Sequence, residues 1–195
     1  MPKKLVAKLV PFAFCITVLQ GQETKTVLNA PENWRTEMIS FPLSFAPEID
    51  FTGFEDIRFT PGWADRESEQ FWTYHFVWFI DKTSPITTTK LTEIFGTYYD
   101  GLMTVVLENG ADSDSAGKLE KTQCSFTKTD TGFEGKIRVF DAFFTKAYIT
   151  LYLKVEEAFC EASNKQVLAF DISPKRFDHK VWQMFNEVTL LENCE

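Results

Sequence analysis

The sequence predicts an α+β fold: a largely antiparallel, curved β-sheet of about eight strands, with one inserted helix and one C-terminal helix packed on it. Three observations carry this expectation. Phe71–Ile80 is apolar on both alternating sets, with Trp72, Tyr74, Phe76, Trp78 and Ile80 on one and Phe71, Val77 and Phe79 beside Thr73 and His75 on the other. Alternate side chains of a strand point to opposite faces, so this strand belongs in the middle of a sheet, covered above and below. Ala147, Ile149, Leu151, Leu153 and Val155 alternate with Tyr148, Thr150, Tyr152 and Lys154, within a series of short runs separated by turn residues. Leu91, Ile94, Phe95 and Tyr98 stand at the i, i+3, i+4 and i+7 spacing of an amphipathic helix.

The elements follow in order. Lys3, Lys4 and Lys8 precede an apolar run from Leu9 to Leu19, and Gln20–Glu23 turns polar. That run is too short to cross a bilayer and has the form of a signal peptide over residues 1–21. Residues 22–33 read as an extended lead-in and 34–195 as a single α+β domain. Strands are expected at Met38–Phe45 and Phe54–Phe59, the second half-buried, with Ile57 and Phe59 on one face and Asp56 and Arg58 on the other. Pro61–Glu67 is a polar loop carrying Trp63. Ser84 and Pro85 stop the aromatic strand; Thr88 or Thr89 caps the helix, and Asp100–Gly101 ends it. Leu102–Leu107 then reads as a partly β-branched strand and Asn109–Gly117 as a small acidic loop. Strands at Lys118–Thr127, Phe133–Asp141, Ala147–Glu156 and Gln166–Ile172 follow, the first two joined by Asp130-Thr131-Gly132. Ser173 and Pro174 suit the cap and first turn of a last helix, with Phe177, Val181, Trp182, Phe185 and Val188 on its apolar side. A curved half-barrel around a helix accommodates the same elements.

Composition bounds the function. A chain of 195 residues with 44% hydrophobic and 25% charged residues has enough apolar material for one packed core. Twenty Lys and Arg against 28 Asp and Glu give a net charge of -8, which repels nucleic-acid backbones and anionic lipid surfaces. Loss of residues 1–21 would remove three lysines and no acid, so export makes the chain more acidic. The expected location is therefore secreted or periplasmic, with no stable membrane insertion once the signal is removed. Cys15 leaves with that segment, and Cys124, Cys160 and Cys194 allow at most one internal bridge.

Motifs of common chemistry are missing. There is no G-x-S-x-G, H-E-x-x-H, G-x-G-x-x-G or C-x-x-C. Gly117-Lys118 fails as a phosphate loop because Asp112 and Leu119 occupy its glycine and hydroxyl positions. Asp112, Ser113, Asp114 and Ser115 lack the closing glutamate of a calcium loop. No cofactor or metal is called for, and the sequence favours a non-catalytic protein.

Twenty phenylalanines and five tryptophans either simply fill a single large core, the plainer account, or make a core aromatic enough to leave an apolar cavity. Trp63 and Trp72 lie beside the polar loop that would form its mouth, and Tyr74 and His75 follow on the central strand. These four are the candidate ligand-binding residues. Desolvation would keep His75 neutral and able to orient a ligand or act as a base, whereas a core histidine satisfied by a carbonyl or hydroxyl is the plainer account. The expected partner is a small apolar or aromatic ligand; an envelope protein-interaction module, or a hydrolase using His75, is the alternative.

Overall fold

The computed structural model describes residues 26–81, 84–110, 117 and 119–191. The signal peptide, the first part of the lead-in, most of the acidic loop and Cys194 lie outside the described residues. In chain order the elements are β1 (Leu28–Asn29), β2 (Arg35–Ser40), β3 (Gly53–Phe59), β4 (Tyr74–Asp81), α1 (Thr88–Glu108), β5 (Gln123–Lys128), β6 (Phe133–Phe140), β7 (Tyr148–Cys160) and β8 (Lys165–Ser173). A 3₁₀ helix (Lys180–Glu187) and β9 (Thr189–Leu190) complete the chain. Seven strands form one sheet in the order β2-β3-β4-β8-β7-β6-β5, every neighbour antiparallel, while β1 and β9 pair as a separate ribbon. The architecture is the α+β arrangement expected, with an open sheet and no closed barrel.

β4 lies between β3 and β8, and each of its residues from Tyr74 to Ile80 is buried. Tyr74, Phe76, Trp78 and Ile80 face α1 and join Leu91, Ile94, Phe95, Tyr98, Tyr99, Met103 and Leu107 in the main core. Each such side chain contributes about 1.5–3 kcal/mol by leaving water. Val77 and Phe79 point the other way, against Val27 and Leu28 of the N-terminal ribbon, Cys160 and Val167. Trp34, Val181, Trp182 and Phe185 form a third cluster, built around the 3₁₀ helix.

The expectations differ from the structure in several places. The helix does not end at Asp100–Gly101 but runs on to Glu108, so Leu102–Leu107 is helix rather than strand. Asp100 is held in place because its carboxylate accepts from the Thr122 amide at 2.8 Å and pairs with Lys121 at 3.2 Å. Gly101 serves close packing: a Cβ there would lie 1.8 Å from the Phe45 carbonyl oxygen. The helix cap is Thr87, whose side chain accepts from the Lys90 amide at 3.1 Å.

At the C-terminus Ser173 and Pro174 start no helix. Ser173 ends β8 with its hydroxyl 2.9 Å from that of Thr73, and the last helix is a 3₁₀ helix capped by His179. The second strand is shorter than Met38–Phe45 and begins earlier, at Arg35. Finally, β3 is buried on both faces rather than half-buried: Asp56 is 0% and Arg58 4% exposed. The chain at Thr26–Leu28 covers them. The Asp56 carboxylate accepts from the Val27 amide at 3.0 Å and the Thr26 hydroxyl at 2.7 Å, while Arg58 donates to the carbonyls of Ile57 at 2.8 Å and Leu28 at 3.2 Å and pairs with Asp56 itself. The end of the lead-in is thus bonded into the domain.

Candidate functional site

The geometry of β4 divides the four candidate residues between two faces. Tyr74 stands on the helix side of the sheet, and His75, one residue on, on the opposite side. Trp63 and Trp72 join Tyr74, because the loop between β3 and β4 folds back on itself. Its base is closed by the Trp63 amide donating to Thr60 O at 3.0 Å, the Trp72 amide donating to Trp63 O at 3.0 Å and the Thr60 hydroxyl donating to Thr73 O at 2.9 Å. The Gly62 amide donates to Gln70 Oε1 at 2.9 Å, cross-bracing the loop. The two indoles therefore meet, ring centres 5.9 Å apart.

Between these rings, the outer strands β2 and β3 and helix α1 lies a cleft of about 300 Å³. Its apolar wall includes Ile39, Ile57, Phe59, Leu102, Val106 and Phe143, and Arg35 and Glu37 stand among the lining residues as its charged members. The Arg35 guanidinium lies 4.7 Å from the centre of the Phe59 ring and 5.4 Å from that of Trp63, and pairs with Glu37 at 3.2 Å. Other hollows are comparable in volume, such as one of about 400 Å³ on the opposite face, which His75, Val77, Phe185 and Leu190 line together with the charged Lys154, Glu156, Glu157 and Asp171. A cleft with an apolar body and few polar groups is the usual form of a small-molecule site.

Three features set the cleft wall apart from ordinary core. Trp72 is 1% exposed and holds a backbone φ of 55°, the left-handed region that a bulky aromatic residue rarely enters. The indole N–H groups of Trp63 and Trp72 are both closed to solvent and without a hydrogen-bond partner among the described residues. Such orphaned donors each cost roughly 1–3 kcal/mol. The third feature is a support that sequence reasoning missed. Buried Asp141 accepts from the amides of Phe143 and Phe144 at 3.0 Å each, and from the Thr145 amide at 2.8 Å and hydroxyl at 2.7 Å. This knot presents Phe144 to Trp63 at 5.0 Å and Phe143 to Trp72 at 5.8 Å. An aspartate placed ahead of two aromatic residues and a threonine was the available signal.

Beneath the cleft lies a second group that was not singled out. Glu55 is 0% exposed on the helix side of β3, where its carboxyl accepts from Trp78 Nε1 at 3.0 Å and from the Tyr98 hydroxyl at 2.8 Å. Burial pushes its pKa up to about 7, against the two hydrogen bonds, which pull it down. The Tyr74 and Tyr99 hydroxyls meet at 2.5 Å, and burial drives both pKa values upward. Burial likewise pushes the Cys124 thiol up to about 12, which leaves it protonated and unreactive. Cys124 packs against the helix-side core and Cys160 in the cluster on the other face, so the sheet stands between them.

His75 occupies a different setting from the other three candidates. Its Nδ1 lies 2.8 Å from Asp171 Oδ1, its ring centre is 6.5 Å from that of Phe185, and its Nε2 is buried with no partner among the described residues. An imidazole oriented by a carboxylate has the form of a base. No hydroxyl or thiol among the described residues is bonded to its free nitrogen, so the pair lacks a nucleophile in place. No group of three or more metal-ligating side chains occurs among the described residues, and none of their helices is long and apolar enough to cross a membrane.

Comparison with protein-family models, with curated proteins and with solved structures finds no match for this chain.

Proposed function

We propose that this is an exported, non-catalytic protein that binds a small apolar or aromatic ligand in the cleft walled by Trp63, Trp72 and Tyr74. Export rests on the basic flank and apolar run at the N-terminus. The observation that carries the binding reading is the wall of the cleft: two meeting indoles, Trp63 and Trp72, whose N–H groups have no partner among the described residues, with the Trp72 backbone in a strained conformation, beside an apolar space of about 300 Å³. Plain packing has no use for that combination, whereas a binding site tolerates strain and orphaned donors when a ligand makes use of them.

The test is titration with prodan, an uncharged dye whose emission shifts in apolar surroundings. The expected result is saturable binding of one dye per chain with quenching of tryptophan fluorescence. Leu102 is half-buried in the cleft wall, and Leu102→Trp would fill the space without disturbing the sheet. That variant is expected to lose at least tenfold in dye affinity while keeping its far-ultraviolet circular dichroism. Non-saturable dye uptake, or equal affinity in the folded variant, would contradict the proposal.

A further inference from the structure

We infer that the ligand of this cleft is an uncharged, flat aromatic molecule carrying a hydrogen-bond acceptor on its ring system, of the aryl ketone or quinone class. The inference rests on the cleft being the binding site proposed above and asks what the site selects. Indole nitrogen donates and never accepts, so the Trp63 and Trp72 N–H groups call for an acceptor. The neighbouring acceptors are already engaged. The Tyr74 and Tyr99 hydroxyls bond to each other, and the Tyr98 hydroxyl donates to Glu55. The enclosed part of the wall thus offers donors without matching acceptors, the Glu37 carboxylate standing at its exposed rim, and this selects against a hydrocarbon.

Charge is disfavoured by the same lining. The apolar body of the cleft would strip water from an ion, and its charged members, Arg35 and Glu37, stand at the exposed rim and pair with each other at 3.2 Å. Shape follows from the rings: Phe59, Trp63, Trp72 and Phe143 surround a space of about 300 Å³, enough for two or three fused rings stacked edge or face against them. Of the two donors, Trp63 is the one able to reach the acceptor. It is half-buried on a loop, whereas Trp72 is almost fully enclosed; both nitrogens are closed to solvent, so the inference includes a turn of the Trp63 ring as the ligand enters.

The experiment compares 9-fluorenone with fluorene, near-isosteric tricyclic molecules that differ by the carbonyl oxygen. Each is titrated by displacement of prodan from the full chain and from Trp63→Phe, with the tryptophan indole N–H resonances followed by nuclear magnetic resonance. Fluorenone is expected to bind about tenfold more tightly than fluorene, with the gap falling below threefold in Trp63→Phe and the Trp63 indole proton moving downfield. Equal affinities in the parent chain, an undiminished gap in Trp63→Phe or an unmoved indole proton would overturn the acceptor inference and leave the cleft standing. Absence of saturable binding for both compounds would instead overturn the cleft reading itself. Should Trp63→Phe fail to fold, the affinity ratio and the resonance shift in the parent chain decide the matter.

Discussion

Glu55 shows how one residue couples the core to solution conditions. Its carboxyl is enclosed between Trp78 and Tyr98, and burial raises its pKa from the ordinary 4.5 to about 7. The folded state therefore holds this proton more tightly than the unfolded chain does. Its contribution to stability is complete below about pH 4.5 and is lost as the pH rises through about 7. The full difference is of the order of 3 kcal/mol. Glu55→Gln keeps an acceptor but cannot ionise, so its unfolding free energy in urea should change by less than about 1 kcal/mol between pH 5 and pH 8 from this position. A variant that retained the parent's slope over that interval would show that Glu55 is not the group responsible. Residue 55 was hard to single out from sequence, because Phe-Glu-Asp-Ile-Arg places charges on both alternating sets. Only the cover supplied by Thr26–Leu28 on one side and α1 on the other reveals that all three charges are inside.

At the scale of elements, α1 explains both a success and a failure of sequence reasoning. Its first half is legible, because Leu91, Ile94, Phe95 and Tyr98 repeat at helical spacing and all are buried. Its second half is not, because Asp100-Gly101 has the chemistry of a helix end and Leu102–Leu107 the β-branched content of a strand. Tertiary packing overrides both signals: Asp100 ties the helix to the segment before β5, and Gly101 lets it touch the backbone at Phe45. A pair of substitutions separates packing from propensity. Gly96 has open space where a Cβ would stand, so Gly96→Ala should stabilise the protein by about 0.5–1 kcal/mol. Gly101→Ala drives a methyl into the Phe45 carbonyl and should destabilise it by about 1–3 kcal/mol despite the same gain in helix propensity. Thermal unfolding of the two variants checks the opposite signs; two shifts in the same direction would contradict the close approach.

At the scale of the whole molecule, one sheet is covered in two different ways. The helix side carries a broad aromatic core that opens at the β2–β3 end into the cleft, and the other side carries a buried ion pair, the terminal ribbon and the His75–Asp171 pair. The central position of β4 was legible because both alternating sets are apolar. The same alternation, taken one step further, separates Tyr74 from His75 and so splits the four candidates. Trp63, Trp72 and Tyr74 could be grouped because they stand close in sequence to one loop. Arg35, Leu102 and Phe143 could not, since they reach the cleft from β2, α1 and the turn after β6, and no local pattern links segments that far apart.

Photolabelling tests the central claim directly, because it reports which face a ligand occupies. Benzophenone, uncharged and with a single carbonyl, is irradiated with the full chain, and adducts are mapped by mass spectrometry with and without excess prodan. The account predicts prodan-sensitive adducts confined to the cleft residues around Trp63, Trp72, Leu102 and Phe143. Adducts concentrated instead around His75, Asp171 and Phe185, or labelling that prodan does not suppress, would contradict it.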